Sequence, residues 1–275
     1  MAGMSLAALR NEDFAMGKES APSTPAHVQR LMDNIDDVRL LVKTHETIAG
    51  KGPGRKRDVE VLNKSAIVFL AAAWESFVED LLAYALQALV EKGNDHKVFP
   101  EYVLQSVGSK HNGIKAWALA GSGWRDAMSD NMKAVLASTT GTFNTPKSVK
   151  IDELFKKVLG MESVSSAWKW HRTDSDAAMS RLDSYITLRG DIAHRVQVEK
   201  SVHKKTVLDF ADLVIRLSTL TNNAVYAYVG ERLGREWLDG GVVLEFVPRP
   251  KPKAKKASTA VEEVKALLKT DADSD

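Results

Sequence analysis

The chain has 275 residues, 44% of them hydrophobic, and a formal net charge of +2. That length expects one domain with tails, or at most two, with enough apolar material for a real core. Cysteine is absent, which excludes disulfides and thiolate metal sites and fits a reducing compartment, and no apolar run approaches the roughly 20 residues of a membrane span.

Residues 1–23 are small, polar and weakly patterned, so disorder is expected there. They lack the basic start and apolar block of a signal peptide, and the expected location is the cytoplasm. Thr24-Pro25 reads as an N-cap followed by proline at the first helical position. Val28, Leu31, Ile35, Val38, Leu41, Val42 and Ile48 follow at helical spacing, and the first helix ends at Gly50. Gly50-Lys-Gly-Pro-Gly-Arg-Lys-Arg57 is a loop. It is not a phosphate-binding P-loop, because it lacks the Gly-Lys-Ser/Thr signature and follows a helix. Arg55, Lys56 and Arg57 are candidate contacts for phosphates.

A second long helix starts near Asp58 and stops at Gly93. Its broad stripe through Leu62, Ala66, Phe69, Leu70, Ala73, Phe77, Leu81, Tyr84 and Leu89 predicts a central position. Between residues 94 and 173, Pro100, Gly108, Gly113, Gly121 and Gly123 divide the chain into short helices near 100–107, 112–119, 124–137 and 148–158. This stretch reads as an insertion between core helices. Trp168-Lys-Trp-His-Arg172 mixes aromatics and cations, a mixture that can stack bases but more often packs its rings into a core.

A third core helix begins near Asp174 or Ser175, carries Ala178, Leu182, Tyr185 and Leu188, and runs into Arg189-Gly-Asp-Ile-Ala-His194. Ser201 is expected to cap a last helix through Leu208, Leu213, Leu217 and Tyr228, ending near Gly230. Val242 to Val247 reads as one short strand or an extended arm. Pro248-Arg-Pro-Lys-Pro-Lys-Ala-Lys-Lys256 is an extended basic linker. After it, Thr259-Ala-Val-Glu262 is a capping-box pattern, and Val261, Val264, Leu267 and Leu268 predict a short amphipathic helix that can dock on a partner. Seven Lys or Arg and five Asp or Glu lie from Pro248 onward, which leaves 31 of each sign in the rest. A formally neutral body does not attract nucleic acid by bulk charge, so local basic patches must do so. The reading is an all-α, antiparallel four-helix-bundle-like domain over 24–247 with a helical insertion, followed by the tail 248–275.

The chemistry concentrates at Arg189, Asp191 and His194. An arginine can grip phosphate with two donors. A histidine, with an unperturbed pKa of about 6.5, can exchange protons near neutral pH. Together they supply what is needed to cut RNA by attack of its own 2′-hydroxyl. In an unbroken helix the two side chains, five positions apart, diverge by about 140 degrees. They converge only if the helix bends at Gly190, if the arginine's length closes the gap, or if two subunits share one site. Upstream, Ala73-Trp-Glu-Ser-Phe-Val-Glu-Asp80 puts Glu75 and Glu79 on one helix face, with Glu75 between core aromatics and able to point toward the histidine helix. Arg195, beside His194, is a further candidate RNA contact. The histidines show no metal spacing, and neither metal nor cofactor is expected.

Arg189-Gly-Asp-Ile-Ala-His194, with Leu188 before it, resembles the Arg-x4-6-His motif of the HEPN superfamily, and the Trp-Glu helix at 74–75 resembles that family's as well. The chain is most similar to the RiboL-PSP-HEPN type, over roughly 26–92 and 174–230. The resemblance implies a homodimer that brings two motifs together. It also implies a metal-independent endoribonuclease in a toxin–antitoxin, antiviral or stress-response setting, restrained by an antitoxin or other regulatory protein. The family commonly has a polar residue after the arginine; here that residue is Gly190, and Asp191 is the candidate for orienting His194. The alternatives are a HEPN module that binds RNA or a partner without cutting, or a helical adaptor acting through the C-terminal helix.

Overall fold

Around the second helix apolar side chains face nearly every direction, and this decides the architecture. In the computed structural model, which describes residues 4–5, 24–49, 59–141, 143–195, 201–234 and 244–246, helix α1 covers Ala26–Ala49 and α2 covers Glu60–Lys92. Ile67, Leu70, Trp74, Leu82 and Ala85 of α2 are all fully buried. A helix that is apolar all round has to be enclosed by others, and α2 touches every other helix of the bundle: α1, α6 (Ser175–Arg195) and α7 (Lys204–Leu233). Its end is set at Gly93, whose N–H bonds the Leu89 carbonyl. A Cβ there would fall 2.4 Å from that oxygen.

Cross-helix contacts give the helix directions. Arg30, early in α1, forms a forked pair with Asp80, late in α2, with both bonds at 2.8 Å. Glu46, late in α1, pairs with Lys204 at 2.6 Å, while Glu60 and Asn63, early in α2, bond the backbone of Val202. Tyr185 of α6 stacks on Phe210 of α7 with ring centroids 4.3 Å apart. Successive long helices therefore run antiparallel, as an up-and-down bundle does.

The middle segment contributes α3 (Glu101–Gly108), α4 (Gly123–Thr140) and α5 (Ser148–Leu159), with 3₁₀ turns at His96–Val98, Gly113–Leu119 and Ser165–Ala167. It is sewn into the same core rather than set apart from it. Ile151, Phe155 and Val158 are fully buried among the bundle's apolar residues. Asp183 of α6 accepts both the N–H and the hydroxyl of Ser148 at 2.8 and 3.0 Å, so one helix caps the start of another. Trp74 donates to the Pro146 carbonyl at 3.3 Å.

Several expectations need correction. Phe69 and Ile48, placed in apolar stripes, are 53% and 64% exposed, because each faces away from the bundle axis. Ser201 is not the cap of the last helix: α7 starts at Lys204 after His203, without a side-chain cap, and runs past Gly230 to Leu233, where Gly234 closes it at φ 65°. The N-terminal segment contains a strand, β1 (Met4–Ser5), which pairs in parallel with β2 (Leu244–Glu245). Leu244 is held there because Asn223 of α7 imitates a strand. The Asn223 side chain accepts the Leu244 N–H and donates to its carbonyl, both at 2.8 Å. The expected helix in the tail lies outside the described residues.

Candidate functional site

Helix α6 begins where Asp174 accepts the Ala177 N–H at 2.8 Å, a side-chain N-cap. Its inward stripe then runs through Ala178, Leu182 and Ile186, at 0%, 0% and 3% exposure. Arg189 lies two turns beyond Leu182, nearly on the same face. It occupies the next position of the buried stripe and is itself half-buried. Across from it stands Glu75 of α2. Burial raises the Glu75 pKa above the ordinary carboxylate range, and the nearby Arg189 charge lowers it. Glu79, one turn along α2, is also raised, by burial first and then by the charges of Glu75 and Asp80. An arginine thus faces Glu75, and burial makes both Glu75 and its neighbour Glu79 reluctant to ionise.

The Arg189 guanidinium forms no hydrogen bond or direct ion pair among the described residues, so its donors are open to a ligand oxygen. His194, five residues further on, is exposed, and Asp191 is half-buried. Asp191 and His194 share a side of the helix, yet no hydrogen bond joins them among the described residues. The helix continues unbroken through Gly190 to Arg195, so the glycine does not end it. A Cβ at Gly190 would meet nothing within 4 Å, which leaves this side of α6 open. The structure brings Arg189 close to Glu75 and leaves His194 exposed. Arg55, Lys56 and Arg57 lie outside the described residues, as does the side chain of Arg195.

Two residues that sequence reasoning missed position the chain just past the motif. Asn63 donates to the Val202 carbonyl at 2.9 Å, and Glu60 accepts the Val202 N–H at 3.2 Å. Val202 itself is buried. The available signal was a polar Asn63 inside an otherwise apolar helix; a buried amide needs a partner. The aromatic–cationic stretch at 168–172 divides: Trp168 is fully buried, as the core reading had it, whereas Trp170 is only half-buried. No group of three His, Asp or Glu side chains among the described residues is placed to hold a metal ion, and no helix among them is long and apolar enough to cross a membrane.

No curated protein and no solved structure gives a match to the chain. A family model does: RiboL-PSP-HEPN matches residues 30–227, a span that includes the middle segment. With a helical bundle, an arginine–histidine helix and a matched span of well over half its length, the chain belongs to the RiboL-PSP-HEPN family of the HEPN superfamily, whose members are nucleases or RNA-binding modules.

Proposed function

We propose that the protein is a metal-independent endoribonuclease whose site is completed by a second copy of the chain. The observation that carries this reading is Arg189 itself: a half-buried guanidinium, set against Glu75 without a direct ion pair, on the helix that carries His194. Its donors can meet two oxygens of one phosphate.

In this reading Arg189 holds the non-bridging oxygens of the scissile phosphate and stabilises the charge that builds up in the transition state. A histidine takes the proton of the 2′-hydroxyl, the 2′-oxygen attacks phosphorus, and the bond to the 5′-oxygen breaks. An imidazolium then gives that oxygen its proton. The products are a 2′,3′-cyclic phosphate and a 5′-hydroxyl. Glu75 positions Arg189, and Asp191 orients His194 once RNA is bound.

The divergence of Arg189 and His194 by about 140 degrees is what calls for a second copy. On α2, Val61 and Phe69 are 60% and 53% exposed, apolar surface that a second copy would cover. Gly190, with open space around it, would let a second helix approach closely. A nuclease of this kind needs restraint, which suggests a toxin or defence effector in the cytoplasm held by an antitoxin or regulatory protein.

A second reading, an RNA-binding module that does not cut, is favoured by one feature: neither Gly190 nor Asp191 holds His194 by a hydrogen bond. Incubating the purified chain with total RNA in EDTA separates the two. Cleavage that leaves cyclic phosphate ends, and that disappears in His194→Ala, supports the nuclease. RNA left intact at high protein concentration supports the binding module. Sedimentation should give about twice the 30.2 kDa chain mass; a monomer removes the shared site.

A further inference from the structure

A second cationic surface lies near the start of α6. Trp168 donates its indole N–H to Thr221 of α7 at 2.9 Å, and this buried anchor fixes the turn beside it. Trp170 and Thr173 exchange backbone hydrogen bonds of 3.0 and 2.9 Å, leaving His171 and Arg172 at the tip. Arg172 has φ 60°, the one left-handed non-glycine residue among those described. Lys169, His171 and Arg172 are exposed, and none of their side chains has a hydrogen-bond or ion-pair partner among the described residues.

Beside the turn, Arg216 of α7 lies over two rings, 4.9 Å from the centroid of Trp170 and 3.6 Å from that of Phe246. Stacking on rings leaves a guanidinium its in-plane donors for phosphate. Arg181 of α6 also lies close to Arg216, and Asp212 puts a carboxylate there whose effect on Arg216 is the larger of the two. The Asn223 clamp on Leu244 places Phe246 here, and the sequence continues directly into Pro248-Arg-Pro-Lys-Pro-Lys-Ala-Lys-Lys256, which has five cations and no carboxylate. Arg181 precedes Arg189 by eight residues on one helix, about 12 Å along its axis. The turn and the candidate site thus lie along the same helix.

We propose that Lys169, Arg172, Arg181 and Arg216, with the rings of Trp170 and Phe246, form an accessory surface for single-stranded RNA. The chemistry is that of single-strand binding, in which cations track the backbone and aromatic faces take unpaired bases. This proposal rests on RNA being the ligand of the Arg189–His194 site, but not on that site being able to cut.

The test uses the full chain carrying His194→Ala, so that RNA survives, and a labelled mixed-sequence single-stranded RNA titrated at several salt concentrations. The added pair Lys169→Ser and Arg172→Gly should weaken binding roughly tenfold at low salt and reduce the slope of log affinity against log salt by about 1.4, two phosphate contacts' worth. Both side chains are exposed and glycine suits the left-handed position, so the melting temperature should not fall. Unchanged affinity and slope in the pair variant overturn the proposal, and so does a parent chain that binds no RNA. If the parent binds and the wild-type chain leaves RNA intact, the nuclease reading fails while the accessory surface stands.

Discussion

Around Thr221–Asn223 on α7, each polar side chain has a structural task. Trp168 donates to Thr221, His27 bonds Asn222 at 3.0 Å, and Asn223 holds both backbone groups of Leu244. At the far end of α6, Arg189, Asp191 and His194 form no such bonds among the described residues. Both regions combine polar groups with apolar surroundings. The first uses its polar groups to fix helices and the β2 segment; the second leaves its donors and acceptors uncommitted, as the proposed site for a charged ligand requires. Substitutions should therefore separate cleanly into those that cost stability and those that cost activity.

The largest effect expected is on catalysis. His194→Ala should lower the rate of RNA cleavage by about 10²- to 10⁴-fold, the usual worth of a positioned acid or base, with no fall in melting temperature because the side chain is exposed. Next comes Trp168→Ala. It removes a fully buried indole and strands the Thr221 hydroxyl, and should cost about 3–5 kcal/mol in urea unfolding. Cleavage per folded molecule should survive. A large activity loss in the Trp168 variant, corrected for the folded fraction, would show that the two regions are not independent.

Asn223→Ala tests the clamp on the β2 segment. It leaves the Leu244 N–H and carbonyl without their partner, at a cost of about 1–3 kcal/mol. The loss should be local: faster hydrogen exchange at Leu244, with protection in α2 retained. Uniformly faster exchange would mean that β2 is part of the cooperative core rather than a strap laid over it.

Much of this division could be read from the sequence, for identifiable reasons. The long helices have 3.6-residue stripes and punctuation by proline and glycine, and both survive folding because burial enforces them. Arg189 and His194 were visible as chemistry. Their divergence was visible too, since an unbroken helix fixes it. Glu75 was visible as able to face the histidine helix; what sequence spacing could not reveal was that Arg189 is the residue it meets there, because that depends on how α6 is rotated against α2. Nor could it reveal the Asn223–Leu244 clamp or the Arg216 stack, which join residues separated by loops and so carry no local period. Phe69 misled because a broad apolar helix gives little hint of which face will be left uncovered.

The smallest effect expected is a pH dependence belonging to His27. Its ring sits between Tyr84 and Phe77, with centroids 4.9 and 5.8 Å away, and it is 3% exposed. Burial lowers its pKa below the ordinary 6.5, against the opposing pull of the Asn222 bond and the Asp80 charge, while Arg30 adds to the lowering. In the unfolded chain the ring takes up a proton as pH falls through about 6.5, whereas in the folded protein it resists until a lower pH. Between those two values the unfolded state binds more protons, so stability declines as pH drops through that window and is unaffected by this group above it. Nδ1 has no partner in the interior, so a protonated ring would also bury an N–H without an acceptor. Glu75 and Glu79 act in the opposite sense: their raised pKa values make acidification favour the folded state, from their raised values down to the ordinary carboxylate range. The comparison that isolates His27 is therefore the difference in urea midpoint between the parent and His27→Gln, followed from pH 7.5 downward. The parent should lose stability relative to the variant as pH falls below about 6.5. Parallel curves would mean that the imidazole stays neutral in both states over the range, or that the folded interior admits the proton as readily as water does.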